Sequence, residues 1–191
     1  MKRLTTLFAC AAIAVASVAA NAAVTFSNVV IRGSLSAGAS AVTGASDIDF
    51  TLPNAAVGDS LPSRTGNIVI TYEANSTDAL TQNLLVLSGA LAGSGTIFFN
   101  EVVEDLINPG IIATYNVVLS ANDQLPHNAV LNFSRPSTHV KVKKTIVLSA
   151  VPDTDNFDLA SVVLVEQRLI PEPAAALLLL VGLPLMRRRA A

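Results

Sequence analysis

138-THVKVKKTIVLSA-150 changes character at nearly every step. On an extended chain Val140, Val142, Ile146 and Leu148 fall on one side, and His139, Lys141 and Lys143 share the other. A period of two is the mark of a strand with one buried and one solvated face. The lysine-bearing face has two readings. It is a cationic stripe for an acidic polysaccharide, or a solvated face whose lysines discourage sheet-to-sheet aggregation. No aromatic residue interleaves with His139, Lys141 and Lys143, which favours the solvated face.

The same texture extends in both directions. Runs over 24–35, 47–52, 67–74, 82–91, 95–106, 111–120, 128–134 and 157–169 are rich in Val, Ile, Thr and Phe, the residues that suit a pleated, half-buried surface. Turn formers punctuate them: Pro53-Asn54, Gly58-Asp59, Ser88-Gly89, Asn108-Pro109-Gly110, Asn122-Asp123 and Pro152-Asp153. Only 77-TDALTQNLLVL-87 has a helical option, capped by Thr77 or Asp78, and its β-rich continuation favours strand. The small-residue stretch 33-GSLSAGASAVTGAS-46 reads as a surface loop. Short strands at such spacing predict an all-β fold, an antiparallel β-sandwich or jelly roll.

The 191 residues leave room for one domain plus processing segments. Lys2 and Arg3, an apolar stretch from Leu7 to Val18 and the small-x-small pattern at Ala20 and Ala22 predict a secretory signal peptide over 1–22. Cys10 is the only cysteine. Bulky Phe8 and the near absence of an apolar stretch before Cys10 argue against a lipoprotein site. The mature chain is then cysteine-free, so its stability rests on an ordinary core. Residues 23–171 carry thirteen Asp and Glu against seven Lys and Arg, a net charge of 7 − 13 = −6. That balance speaks against nucleic acid as a partner.

Motifs of catalysis are missing. The sequence contains no HExxH, CxxC, P-loop or G-x-S-x-G. His127 and His139 are the two histidines, and neither has a second at metal-ligand spacing. In 99-FNEVVEDL-106, alternation sets Glu101 and Asp105 on one face and Glu104 on the other, and a glycosidase would need two facing carboxylates. With no Trp and only Tyr72 and Tyr115, a sugar-stacking platform has little material. No catalytic residue and no cofactor are expected. Asp153, Asp155 and Asp158 crowd the stretch 152-PDTDNFD-158 and present oxygen ligands of the type calcium takes, without the glycine and distal Glu of an EF-hand. A solvated acidic turn is the plainer reading. The same residues, with the lysine stripe, leave a glycan- or calcium-binding module as the alternative function.

The chain closes on 171-PEPAAALLLLVGLPLMRRR-189. Pro171, Glu172 and Pro173 stop the preceding strand, because proline cannot donate to a ladder. Ala174 to Met186 is thirteen uncharged residues. As a helix it would span roughly 20 Å, short of a bilayer core near 30 Å. Arg187, Arg188 and Arg189 form a basic stop that the positive-inside rule holds in the cytoplasm. The tripeptide, the apolar run and the arginine cluster, in that order and behind a signal peptide, resemble the PEP-CTERM sorting signal of exosortase systems in Gram-negative bacteria. The resemblance covers about the last twenty residues and implies a division into signal peptide (1–22), β-domain (23–170) and sorting signal (171–191). It further implies export through the Sec translocon, transient residence in the inner membrane and processing by an exosortase near Pro171–Pro173. The destination would be the cell surface or exterior, in association with exopolysaccharide and biofilm. In that setting the protein is a non-enzymatic substrate of the sorting machinery.

Overall fold

The computed structural model describes residues 23–59, 61–151 and 157–172. Every regular element among them is a strand: β1 (Val24–Arg32), β2 (Ser40–Thr43), β3 (Asp47–Thr51), β4 (Ala56–Gly58), β5 (Thr65–Ala92), β6 (Thr96–Asp105), β7 (Gly110–Ser120), β8 (His127–Ser149) and β9 (Leu159–Pro171). All pairings are antiparallel. The all-β, antiparallel expectation holds. The signal peptide, with Ala20 and Ala22, and the C-terminal apolar segment lie outside the described residues.

β5 and β8 organise everything else. They are 28 and 23 residues long and pair with each other almost throughout. The ladder breaks between Asn75 and Gln82, and there both strands pass from one layer to another, the usual way a strand turns a sheet corner. In the first layer, Thr65–Asn75 of β5 pairs with His139–Ser149 of β8, flanked by β1 on one side and by β6 and then β7 on the other. In the second, Gln82–Leu87 of β5 pairs with His127–Asn132 of β8, while β9, β3 and β2 follow on the far side of β5. β4 pairs with the start of β9.

The core lies between the layers. Ile68, Ile70, Tyr72, Val142, Ile146 and Phe99 point inward from the first, and Ile48, Phe50, Leu85, Leu87, Val165 and Leu169 from the second. The Tyr72 ring meets Phe50 from the opposite layer at 5.6 Å between centroids and Phe26 edge-on at 5.9 Å. Each fully buried side chain of this size contributes about 1.5–3 kcal/mol. The alternation in 138–150 is realised as read: Val140, Val142, Ile146 and Leu148 are buried, and Lys141 and Lys143 are exposed.

Three local expectations are corrected. The stretch 33–46, read as a loop, contains β2, whose four small residues become a strand by pairing with β3. Ser88-Gly89, read as a turn, is a register shift inside β5, where a Cβ on Gly89 would stand 1.9 Å from the Ser161 carbonyl oxygen. Close backbone approach, more than turning, is what this glycine provides. Runs 67–74 and 82–91, read as separate, are one strand, as are 128–134 and 138–150, because bends join them.

Candidate functional site

Between the layers stands a group of polar side chains. Lys144 sits directly across the ladder from Glu101, and both are 0% exposed. The Lys144 Nζ donates to Glu101 Oε2 at 2.7 Å and lies 5.5 Å from the Phe99 ring centroid. From the opposite layer, Asn83 Nδ2 and Gln167 Nε2 donate to Glu101 Oε1 at 2.5 and 2.9 Å. One carboxylate thus takes three donors from β8, β5 and β9 and joins the two layers. Burial lowers the Lys144 pKa, and the charge and hydrogen bond of Glu101 oppose that shift. Burial, then the nearby Glu101 charge, push Tyr72 well above the usual phenol range.

The second buried carboxylate, Asp105, ends β6. Its Oδ1 accepts from Ser137 Oγ at 2.7 Å and from the backbone N–H groups of Ile107 and Asn108 at 2.9 and 3.2 Å, and its Oδ2 accepts from Arg135 Nε at 2.9 Å. Arg135 also donates to the Asn108 carbonyl. Burial alone would raise the Asp105 pKa, but hydrogen bonds from Ser137, Arg135, Asn108 and Ile107 outweigh it and hold the carboxyl well below the ordinary range. Glu101 and Asp105 therefore share a face, as alternation indicated, and that face is the interior.

The outer face of the first layer carries the predicted stripe. Lys141 is directly opposite Glu73 on one side and Glu104 on the other. His139 Nε2 lies 3.4 Å from Glu73 Oε2. Carboxylates from both neighbouring strands thus interleave with His139, Lys141 and Lys143, and the face is of mixed charge. His127, at the start of β8, meets the Tyr115 hydroxyl of β7 at 2.6 Å with the rings stacked. It fastens the second layer over the first.

Of the acidic stretch, Asp153 and Asp155 lie outside the described residues. Asp158 is buried; its Oδ1 accepts from the Ser94 N–H at 2.6 Å in the turn between β5 and β6. That bond gives Asp158 a turn-holding role, which alternation could not have revealed because it is made across 64 residues of sequence.

The outer face of the second layer bears two adjoining hollows of about 380 and 320 Å³. Asp47, Leu84 and Arg168 line both, with Asp49, Val86 and Glu166 along the second and Pro171 at the rim of the first. Partial burial, then the charge of Asp47, raise the Asp49 pKa. Apart from Pro171, none of these residues stands out in the sequence, since charges on alternate positions of 47-DIDFTL-52 and 157-FDLASVVLVEQRL-169 look like any solvated face.

Of the sorting motif, Pro171 and Glu172 are described, while Pro173 and Arg187, Arg188 and Arg189 lie outside the described residues. Pro171 is the last residue of β9 and pairs with Leu80. The Glu172 N–H donates to the Ala79 carbonyl at 2.6 Å, and Glu172 itself is exposed.

No family model and no curated protein matches the chain. Among solved structures, it is similar to TmCBM61, solved in complex with β-1,4-galactotriose, at 12% identity and a TM-score of 0.40, covering 76% of this chain and 90% of that one. It is also similar to the arabinose-bound α-L-arabinofuranosidase MgGH51, at 12% identity and a TM-score of 0.29. That match covers 78% of this chain and only 24% of the enzyme. Neither likeness assigns a function to this chain.

Proposed function

We propose that this protein is an exported, non-enzymatic β-sandwich that an exosortase sorts and processes through its C-terminal segment, and that it works at the cell surface or in the exopolysaccharide matrix. One observation carries the reading: β9, an inner strand of the second layer, runs straight into the tripeptide, with Pro171 the last residue of its ladder and Glu172 exposed beyond it. A cut after this point removes no strand from the sheet. The non-enzymatic part is supported by Glu101 and Asp105, whose oxygens are taken up by internal donors. In an exosortase-bearing Gram-negative host, mass spectrometry of the released protein should find its C-terminus at or beside Pro171–Pro173, and deletion of the exosortase should leave the tail attached. An intact tail on the surface-exposed protein with the exosortase present would sink the proposal.

A second reading, glycan binding, is favoured by the outer groove. Side chains that can bond hydroxyls, Asp47, Asp49, Glu166 and Arg168, stand there beside aliphatic Leu84 and Val86. Calorimetric titration with neutral oligosaccharides should then give heat that Arg168→Ala/Glu166→Ala abolishes, whereas Lys141→Ala/Lys143→Ala leaves it unchanged. No heat with any oligosaccharide, or equal loss in both variants, would remove this reading.

A further inference from the structure

We propose that β7 is an interface strand: two copies of this chain pair antiparallel along it about a two-fold axis near Asn116, joining their first layers into one continuous sheet. The free edge of a sheet presents a row of unpaired N–H and C=O groups, so what fits it is another extended strand. Proteins ordinarily blunt such edges with charge, proline, bulges or brevity. The other main edges among the described residues are broken, short or end at such a device. β1 is broken by a bulge between Ser27 and Val30, with Asn28 in the left-handed region at φ 52°. β2 has four residues. The unpaired side of β8 in the second layer is short, His127–Asn132, and ends at the bend with Arg135 and Pro136. β7 has none of them over most of its length: 110-GIIATYNVVLS-120 is eleven residues without a charge or a proline. Its one irregularity is a register shift near its start.

The chemistry of the strand and its ends selects a second copy. Pairing a strand with itself about a two-fold axis sets each charge near the axis opposite its own kind, a destabilising arrangement that β7 avoids by having none. On the outer face Asn100 Nδ2 donates to Asn116 Oδ1 at 2.5 Å, and a second Asn116 across the axis would extend that amide row. Val118, 64% exposed, would gain Thr114 of the other copy as its cross-strand neighbour. The ends are complementary. Arg135 stands beside Gly110, at the start of β7, its Nη2 3.4 Å from where a glycine Cβ would be. Asp123 stands at the other end, its Oδ2 accepting from the Ser120 N–H and hydroxyl. Antiparallel pairing brings the Arg135 end of each copy to the Asp123 end of the other, twice.

The single cysteine makes the test clean. In the full chain carrying Cys10→Ser, light scattering should give twice the chain mass, and Asn116→Lys or Val118→Lys should return it to the chain mass with the β-sheet circular dichroism unchanged. In the same background Asn116→Cys should form a disulfide-linked dimer on mild oxidation, while Val42→Cys, 66% exposed on β2, should not. A protein that stays monomeric up to about 100 µM overturns the proposal, since association follows mass action. So does a dimer that survives both lysine substitutions, or one that cross-links equally well at residue 42.

Discussion

Lys144→Met should destabilise the protein by about 3–5 kcal/mol, because it strands the Glu101 carboxylate in the core without its cation. Against a typical total stability of about 5–15 kcal/mol this is a large fraction. For a chain of this size it corresponds to a fall in Tm of roughly 6–20 °C. The cost comes from what remains behind: Glu101 is fully buried, and Lys144 supplies the only full positive charge among the three donors it accepts from. The double variant Glu101→Gln/Lys144→Met should recover most of the loss. It keeps an amide oxygen where Asn83 and Gln167 donate and leaves no charge to desolvate, and exchanging a whole buried pair is often neutral or stabilising. Urea and thermal unfolding over the four members of the cycle would measure the coupling. A loss below about 1 kcal/mol for Lys144→Met, or a double variant whose cost is the sum of its singles, would show that the pair does not act as a unit. The network also offers a reason for its own presence. Its four members come from β5, β6, β8 and β9, and a one-residue slip of any of those strands would turn a charged or amide side chain away from its partners.

Alternation made the faces of this sheet legible, and it carried more than it was used for. The rule that sends Val142 and Ile146 inward also sends Lys144 inward, and the rule that pairs Glu101 with Asp105 on one face places both in the core. What could not be read is that these two anomalies answer each other, since Glu101 and Lys144 meet only through the β6–β8 register, 43 residues apart. The bends in β5 and β8 were hidden for a similar reason. Asn75 to Asp78 and Ser134 to Ser137 have the composition of turns, yet the chain continues as strand because the corner between layers needs a polar, irregular stretch just there. β2 shows the opposite failure: Ser40–Thr43 has weak strand preference, and the neighbouring β3 supplies the pairing that makes it one. The outer groove is assembled from β3, β5 and β9, so no single segment carries its signature.

Asp105→Asn should cost about 2–4 kcal/mol at neutral pH, since hydrogen bonds to a charged group each contribute about 1.5–3 kcal/mol and the substitution weakens several at once. The side chain ties three things together: the end of β6, the turn at Ile107 and Asn108, and the β8 bend at Arg135 and Ser137. Arg135 is 43% exposed, so solvent screens its share, and Ser137 with the two backbone N–H groups carries most of the effect. The pH dependence has a definite sign. The carboxyl is held well below its ordinary value in the folded protein, whereas in the unfolded chain it titrates near pH 3.9. Above that value the charge is present in both states and the folded state keeps the full benefit of its hydrogen bonds. As pH falls below about 4 the unfolded chain takes up the proton first, and the benefit drains away toward the folded-state value. The gap in stability between wild type and Asp105→Asn should therefore be flat from pH 7 to about 5 and narrow steadily below about 4. Paired thermal melts across that range would read it directly. A gap that stays constant down to pH 2.5, or one that is already closing between pH 7 and 5, would mean that the carboxylate charge is not what holds this corner.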